Sequence, residues 1–143
     1  MSIEELMNKF PATCGPDETL SDVLQKMRGG NCAFLPVTAD SGSQCLVGMI
    51  TDGDICMAAQ LRGRSLEELR ARDAMAREIR VCNPGDSFVK AEAIMQDARI
   101  QCLPVVDESR RLLGVLSLDD VANEAECEAL SSRITAAQFG LAL

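Results

Sequence analysis

The stretch Gly48-Met49-Ile50-Thr51-Asp52-Gly53-Asp54-Ile55 decides the reading of this chain, because the chain carries it twice. Its echo is Gly114-Val115-Leu116-Ser117-Leu118-Asp119-Asp120-Val121. Each copy runs glycine, two apolar residues, a hydroxyl side chain, two variable positions, aspartate and an apolar residue. The apolar pair reads as the end of a buried strand. Thr51 and Ser117 then read as N-caps of helices whose first backbone N–H groups point outward. Such a helix start attracts anions. An aspartate three residues on, in the first turn, offers two acceptor oxygens to adjacent sugar hydroxyls. Phosphate at the helix start and ribose at the carboxylate together describe a nucleoside or nucleotide clamp. The same residues also fit a capping box, in which N-cap and N3 side chains satisfy each other's backbone donors. Ser2-Ile3-Glu4-Glu5 and Ser65-Leu66-Glu67-Glu68 show that pattern recurring elsewhere in the chain.

Working outward, the repeat extends over most of the sequence, and a repeat of this length sets the architecture. Met7 aligns on Met75, Cys14 on Cys82, Pro16 on Pro84, Thr19 on Ser87 and Met27 on Met95. Leu35-Pro36-Val37 falls on Leu103-Pro104-Val105, and after a small contraction in a loop Gly48, Thr51 and Asp54 fall on Gly114, Ser117 and Asp120. The first copy reads as a short capped helix from Ile3 to Lys9 and an extended piece at Ala12 to Cys14. A helix follows through Leu20, Val23, Leu24 and Met27, stopped by Gly29-Gly30. Strands are expected over Ala33 to Thr38 and Cys45 to Ile50, then a helix over Asp52 to Leu61. Pro36 is placed at an edge or bend rather than mid-ladder. The second copy opens with a helix from Leu66 to about Met75 and repeats the order. It has an extended piece at Ile79 to Cys82, a helix through Phe88 to Met95, strands at Cys102 to Val106 and Leu112 to Leu116, and a helix from Leu118 to about Leu130. An apolar helix over Ile134 to Leu143 closes the chain and needs a partner surface, in its own module or in a dimer. The expected domains are residues 1–63, 64–130 and the terminal helix 131–143.

Composition narrows the function. With 143 residues and 47% hydrophobic content, the chain holds one ordinary domain or two small halves sharing a core. Aromatics make up 3%, with no Trp or Tyr, and net charge is −8. Nucleic acid is therefore an unfavourable partner, lacking both base-stacking faces and phosphate-neutralising cations. No apolar run reaches the ~18 residues that span a bilayer, and Met1-Ser2-Ile3-Glu4-Glu5 lacks a signal-peptide plan. A cytoplasmic protein without membrane contact is expected. Seven scattered cysteines without C-x-x-C, and no histidine, argue against a disulfide framework, a zinc site or a histidine base. There is also no Gly-rich phosphate loop, so no enzyme is expected. With both repeats subtracted, no stretch is left for a catalytic or transport domain, and the chain reads as a stand-alone module.

The paired motifs Pro16-x-x-Thr19, Leu35-Pro36-Val37 and Gly48-x-x-Thr51-x-x-Asp54, with Pro84-x-x-Ser87, Leu103-Pro104-Val105 and Gly114-x-x-Ser117-x-x-Asp120, resemble a tandem pair of cystathionine-β-synthase (CBS) domains, a Bateman module. The resemblance implies an α/β (α+β) fold of two β-α-β-β-α units packed sheet to sheet about a pseudo-twofold axis, with two clefts between them. It implies binding of an adenine nucleotide or adenosyl compound (AMP, ADP, ATP, NAD or S-adenosylmethionine), with no resident cofactor. It also implies a homodimer and a regulated partner protein. Carried over by position, Asp54 and Asp120 hold ribose, while Thr51 and Ser117 meet phosphate. The adenine pocket of the Asp54 cleft draws on Ile79, Ile100 and Cys102, and that of the Asp120 cleft on Pro11, Cys32 and Phe34. Where many nucleotide-binding members carry a basic residue, this chain has Phe34, Cys102, Asp52-Gly53 and Leu118-Asp119. Around Asp120 the side chains of Asp119, Glu124, Glu126 and Glu128 add negative potential. The Asp54 cleft has Arg77, Arg80 or Arg99 to draw on, and is favoured, with a monophosphate or nucleoside ahead of a triphosphate. The competing reading is a structural or interaction module with vestigial clefts.

Overall fold

The computed structural model describes residues 2–40 and 44–121. The expected segments from Glu124 onward, including the Ile134–Leu143 helix, lie outside the described residues. In chain order the elements are α1 (Ile3–Leu6), α2 (Leu20–Gly29), β1 (Phe34–Thr38), β2 (Leu46–Thr51), α3 (Asp52–Arg62), α4 (Ala71–Ala74), α5 (Phe88–Ala98), β3 (Cys102–Val106) and β4 (Leu112–Ser117). Residues 118–121 are again helical. The fold is the mixed helix-and-strand arrangement anticipated, built twice.

Helices α2 and α5 start where the sequence says. Thr19 Oγ1 accepts the Asp22 N–H at 3.1 Å to cap α2, and Ser87 Oγ accepts the Lys90 N–H at 3.2 Å to cap α5. Leu20, Val23 and Met27 of α2 point into one core, as Ala91 and Met95 of α5 point into the other. Gly63, with φ of 63°, closes α3 in the left-handed conformation that glycine adopts without strain.

Strands β1 and β2 pair antiparallel, as do β3 and β4, in matching registers: Pro36 opposes Met49 and Pro104 opposes Val115. Pro36 therefore sits in the middle of a ladder rather than at a bend. At the Pro36–Met49 position the two strands exchange no hydrogen bond. Met49 turns its N–H and C=O outward to Ala76, at 3.0 and 2.8 Å. Pro36 needs no donor there, and its carbonyl accepts the Cys14 N–H at 3.1 Å. The second copy repeats the device, with Pro104 accepting from Cys82 and Val115 bonding Asn8 both ways.

Those outer bonds exchange segments between the halves. Ala76, at the head of the second repeat, extends the first sheet, and Asn8, at the head of the first, extends the second. The preceding helices follow. Ile3 of α1 is buried with Cys82, Met95, Leu103 and Leu116. Leu69 and Ala71 are buried with Leu20, Leu35 and Ile50. Between the sheets lie two further clusters, one of Leu46, Val106 and Leu112 and one of Met49, Cys102 and Val115, each joining residues from both repeats.

The exchange also corrects the expected helix from Leu66 to Met75. Residues 66–68 form a turn, and Arg70 is extended, with φ of −116° and ψ of 163°. Its neighbour Leu69 accepts the Leu20 N–H at 2.9 Å, and this pairing with the Thr19 segment breaks the helix into a turn and the single turn α4. Likewise α1 stops at Leu6, because Asn8 is drawn into the second sheet. Ser2 makes no side-chain cap, so its match to the capping pattern is incidental.

Close approach of the exchanged segments depends on two glycines. A Cβ on Gly48 would lie 2.7 Å from the Ala76 carbonyl oxygen, and one on Gly114 would lie 2.6 Å from that of Asn8. We predict that Gly48→Ala and Gly114→Ala each lower unfolding stability by about 1–3 kcal/mol, the range for overpacking a filled site. Urea denaturation measures this, and losses within ~0.5 kcal/mol, the range of ordinary surface substitutions, would show that the exchanged backbone is not closely held.

Candidate functional site

The end of β2 delivers Thr51 to the N-cap of α3, and the capping box is present in full. Thr51 Oγ1 accepts the Asp54 N–H at 3.1 Å, and Asp54 Oδ2 accepts the Thr51 N–H at 2.9 Å. The second copy repeats it, with Asp120 N–H to Ser117 Oγ at 3.1 Å and Ser117 N–H to Asp120 Oδ2 at 3.4 Å. In each aspartate the other carboxylate oxygen accepts no hydrogen bond from a described residue. Two acceptor positions on one carboxylate thus divide between a local cap and whatever enters the cleft.

The expectation of outward N–H groups at the helix start is corrected here. The Asp52 N–H donates to the Ala33 carbonyl at 3.0 Å, the Gly53 N–H to Asp52 Oδ1 at 2.8 Å, and the Asp54 N–H to Thr51. The first turn of α3 is therefore already satisfied from within. What Thr51 retains is its hydroxyl proton, since its oxygen is used as an acceptor. Charge on a ligand falls to side chains instead.

A cleft of about 560 Å³ opens beside this start. Its lining takes Thr51 and Asp54 from the first repeat and Ile79, Ile100 and Cys102 from the second, together with Phe34 and Pro104. The charged residues on it are Asp52, Asp54 and Glu78 against Arg80 and Arg99. Arg99 ends α5 in a left-handed conformation, with φ of 56°, and its guanidinium has no partner among the described residues. Arg80 is paired with Asp97 at 3.1 Å on an exposed surface, a pair that a ligand displaces at little cost. Of the three arginines expected here, Arg80 and Arg99 line the cleft, and Arg77 lines neither cleft: it lies in the bend after the Ala76 bridge. Glu78 was missed by sequence reasoning. Its signal was the exchange itself, which carries residues after Ala76 onto the first sheet.

The second cleft, of about 430 Å³, gathers Ser117 and Asp120 with Pro11, Cys32 and Phe34, as expected, and adds Phe10 and Asn8. Phe34 lines both clefts. Asp120 is the one charged residue on its lining among the described residues. Burial pushes the Cys102 thiol of the first cleft up to about 12, so it is a neutral, small apolar contact there.

With the two sheets, two caps and two clefts in view, comparison with known proteins gives the class. The CBS-domain family pattern matches residues 3–60 and 71–126. The chain belongs to the CBS-domain family, as a tandem pair. It is 30% identical over 135 residues to the CBS domain-containing protein YhcV of Bacillus subtilis, covering 94% of this chain and 93% of that one. It is 31% identical over 120 residues to a homoserine O-acetyltransferase of Methanococcoides burtonii, covering 84% of this chain but 23% of that enzyme. Among solved structures it is similar to the CBS domain pair of protein MJ0100 in complex with 5′-methylthioadenosine and S-adenosyl-L-methionine. The TM-score is 0.76 at 23% identity, over 90% of this chain and 98% of that one. It is similar also to CBSX2 in complex with AMP, with a TM-score of 0.76 at 21% identity, over 90% and 98% of the two chains. At these identities the two structures establish the fold. No helix among the described residues is long and apolar enough to cross a membrane.

The thiols report on the packing that shapes the clefts. Burial holds Cys14, Cys82 and Cys102 up to about 12, against an ordinary value of 9.0, whereas Cys56 is exposed. Iodoacetamide at pH 8 should label Cys56 in the native protein and leave those three unlabelled until urea unfolds it; labelling of Cys102 as fast as Cys56 would contradict the buried assignment. The same burial sets a pH dependence. The unfolded thiols lose protons above about 9.0 while the folded ones keep theirs to about 12, so stability falls as pH rises through that window. A stability that is flat from pH 9 to 11 would refute it.

Proposed function

We propose that this chain is a regulatory module that binds an adenine nucleotide or adenosyl compound and signals its occupancy to a partner protein. The observation that carries the reading is the Asp54 cleft. There a half-free carboxylate, an available threonine hydroxyl and the Arg99 guanidinium, unpaired among the described residues, border one open volume lined by Ile79, Ile100 and Cys102. Ribose hydroxyls suit the carboxylate, the apolar wall suits a base, and Arg99 suits a single phosphate. The three acidic side chains in the same lining weigh against a triphosphate. The adenosyl ligands held by the MJ0100 domain pair and by CBSX2 support the ligand class. A ligand between two repeats acts by favouring the arrangement of the halves that closes on it, limited by its differential affinity for the two arrangements. We extend the proposal to a cytoplasmic homodimer, the assembly that the family resemblance implies.

A second reading has its own observation. Asp54 and Asp120 already serve their helix caps, a role that requires no ligand. On that reading the clefts are vestigial and the module acts by dimerisation or partner binding.

Calorimetric titration of the purified protein with AMP, ATP, NAD and S-adenosylmethionine separates the two. The sensor reading expects saturable binding of at least one of them, weakened tenfold or more in Asp54→Ala and unchanged in a surface control such as Glu108→Ala. Because losing a cap costs ~1 kcal/mol, thermal melts confirm that the variant is folded at the titration temperature. Silence across the panel from a stable dimer supports the scaffold instead. Small-angle scattering with and without the bound ligand then tests signalling: a changed profile at saturation is expected, and identical profiles would leave a passive binder.

A further inference from the structure

The two clefts occupy equivalent positions in the repeats, so their linings can be compared residue against residue. Both keep the hydroxyl and the aspartate, Thr51 and Asp54 in one and Ser117 and Asp120 in the other. Every other charged position of the first cleft has lost its charge in the second. Asp52 corresponds to Leu118, Glu78 to Phe10, Arg80 to Ala12 and Arg99 to Asn31. Asn31 and Arg99 share the left-handed backbone, with φ of 51° and 56°, which supports the correspondence. The nearby cation Lys9 is not on this lining; it lines an adjoining depression, with Thr38 and Gln44, that shares Phe10 and Pro11 with the cleft. Among the described residues, a phosphate entering the second cleft meets a carboxylate and no guanidinium, which is repulsive at short range.

In place of charge the second cleft has aromatic surface. The chain holds four phenylalanines, and Phe10 and Phe34 both line this cleft. Phe10 is 91% exposed, its backbone N–H held by Asn8 Oδ1 at 3.0 Å. A large ring left in water at the mouth of a cleft has an apolar face to cover, and a stacked base covers it.

We infer that the second cleft is a site for an uncharged nucleoside, held by Asp120 through its sugar and by Phe10 through its base, and that it discriminates against phosphate. The inference rests on the adenosine-type reading of the Asp54 cleft and divides the ligands of the two clefts by charge.

The test is calorimetry on the full chain with adenosine and AMP. In Asp54→Ala, which disables the first cleft, adenosine binds at one site and AMP binds at least tenfold more weakly than adenosine. Adding Phe10→Ala weakens adenosine about tenfold, and the exposure of Phe10 keeps that variant folded. Adding Asp120→Asn, which preserves an acceptor for the Ser117 N–H, weakens adenosine to a similar extent. Adding Ala12→Arg to Asp54→Ala strengthens AMP and leaves adenosine unchanged. The inference is overturned if AMP matches or exceeds adenosine in Asp54→Ala, or if Phe10→Ala leaves adenosine binding intact. If wild-type chain binds AMP through Asp54 while Asp54→Ala is blind to adenosine, this inference alone fails. If wild type binds neither compound, the sensor reading fails and takes this inference with it.

Discussion

The structure depends on a reciprocal exchange of backbone. Met49 gives both its outer hydrogen-bonding groups to Ala76, and Val115 gives both of its own to Asn8. Each sheet of two strands is thereby completed by a segment that belongs, in sequence, to the other repeat. A strand pair on its own is marginal in water and leaves open edges. Here the β2 and β4 edges are closed by the opposite half and the β1 and β3 edges by the Cys14 and Cys82 segments of their own repeats, and Ile3 and Leu69 carry the attachment into the two cores. The same exchange forms the clefts, since the residues beyond Ala76 cross to the first sheet and those beyond Asn8 cross to the second.

Within each cleft the capping box and the proposed clamp share one aspartate, and the two roles do not compete. A carboxylate has acceptor capacity for more than one donor. The cap uses Oδ2 and fixes the side chain's rotamer, so the remaining oxygen is held in place before any ligand arrives. Pre-orientation of that kind reduces the ordering entropy lost on binding. Because the first-turn N–H groups of α3 are internally satisfied, selectivity for charge rests on side chains alone, and those differ between the clefts. A duplicated fold with conserved geometry and divergent charge gives one molecule two sites of unlike chemistry.

Much of this was legible in the sequence. The doubled Gly-x-x-Thr/Ser-x-x-Asp run gave both caps, both aspartates and the strand-to-helix junctions, because each of those features is local. Ile79, Ile100, Cys102, Pro11, Cys32 and Phe34 reached the expected clefts through the family resemblance rather than through periodicity. What escaped was long-range. Pro36 looked unfit for a ladder because propensity counts its missing donor, whereas the fold spends that position on an outward-facing pair. The run from Leu66 to Met75 reads as a capped helix, yet the Leu69 carbonyl is claimed by the Leu20 N–H at the start of α2 and the helix breaks. Arg77 and Arg80 were indistinguishable by composition, and the bend after Ala76 chose between them. No local signal encodes a partner 27, 49 or 107 residues away, as Ala76 is from Met49, Leu69 from Leu20 and Val115 from Asn8.

The central claim is that the exchange makes the two repeats one cooperative body. Native-state hydrogen exchange measures it residue by residue. The account predicts that the amides of Asn8, Met49, Ala76 and Val115 open only with global unfolding, at a single free energy shared by both sheets. Two separate opening free energies, one for each repeat, with Asn8 and Ala76 exchanging at the rate of frayed termini, would contradict it.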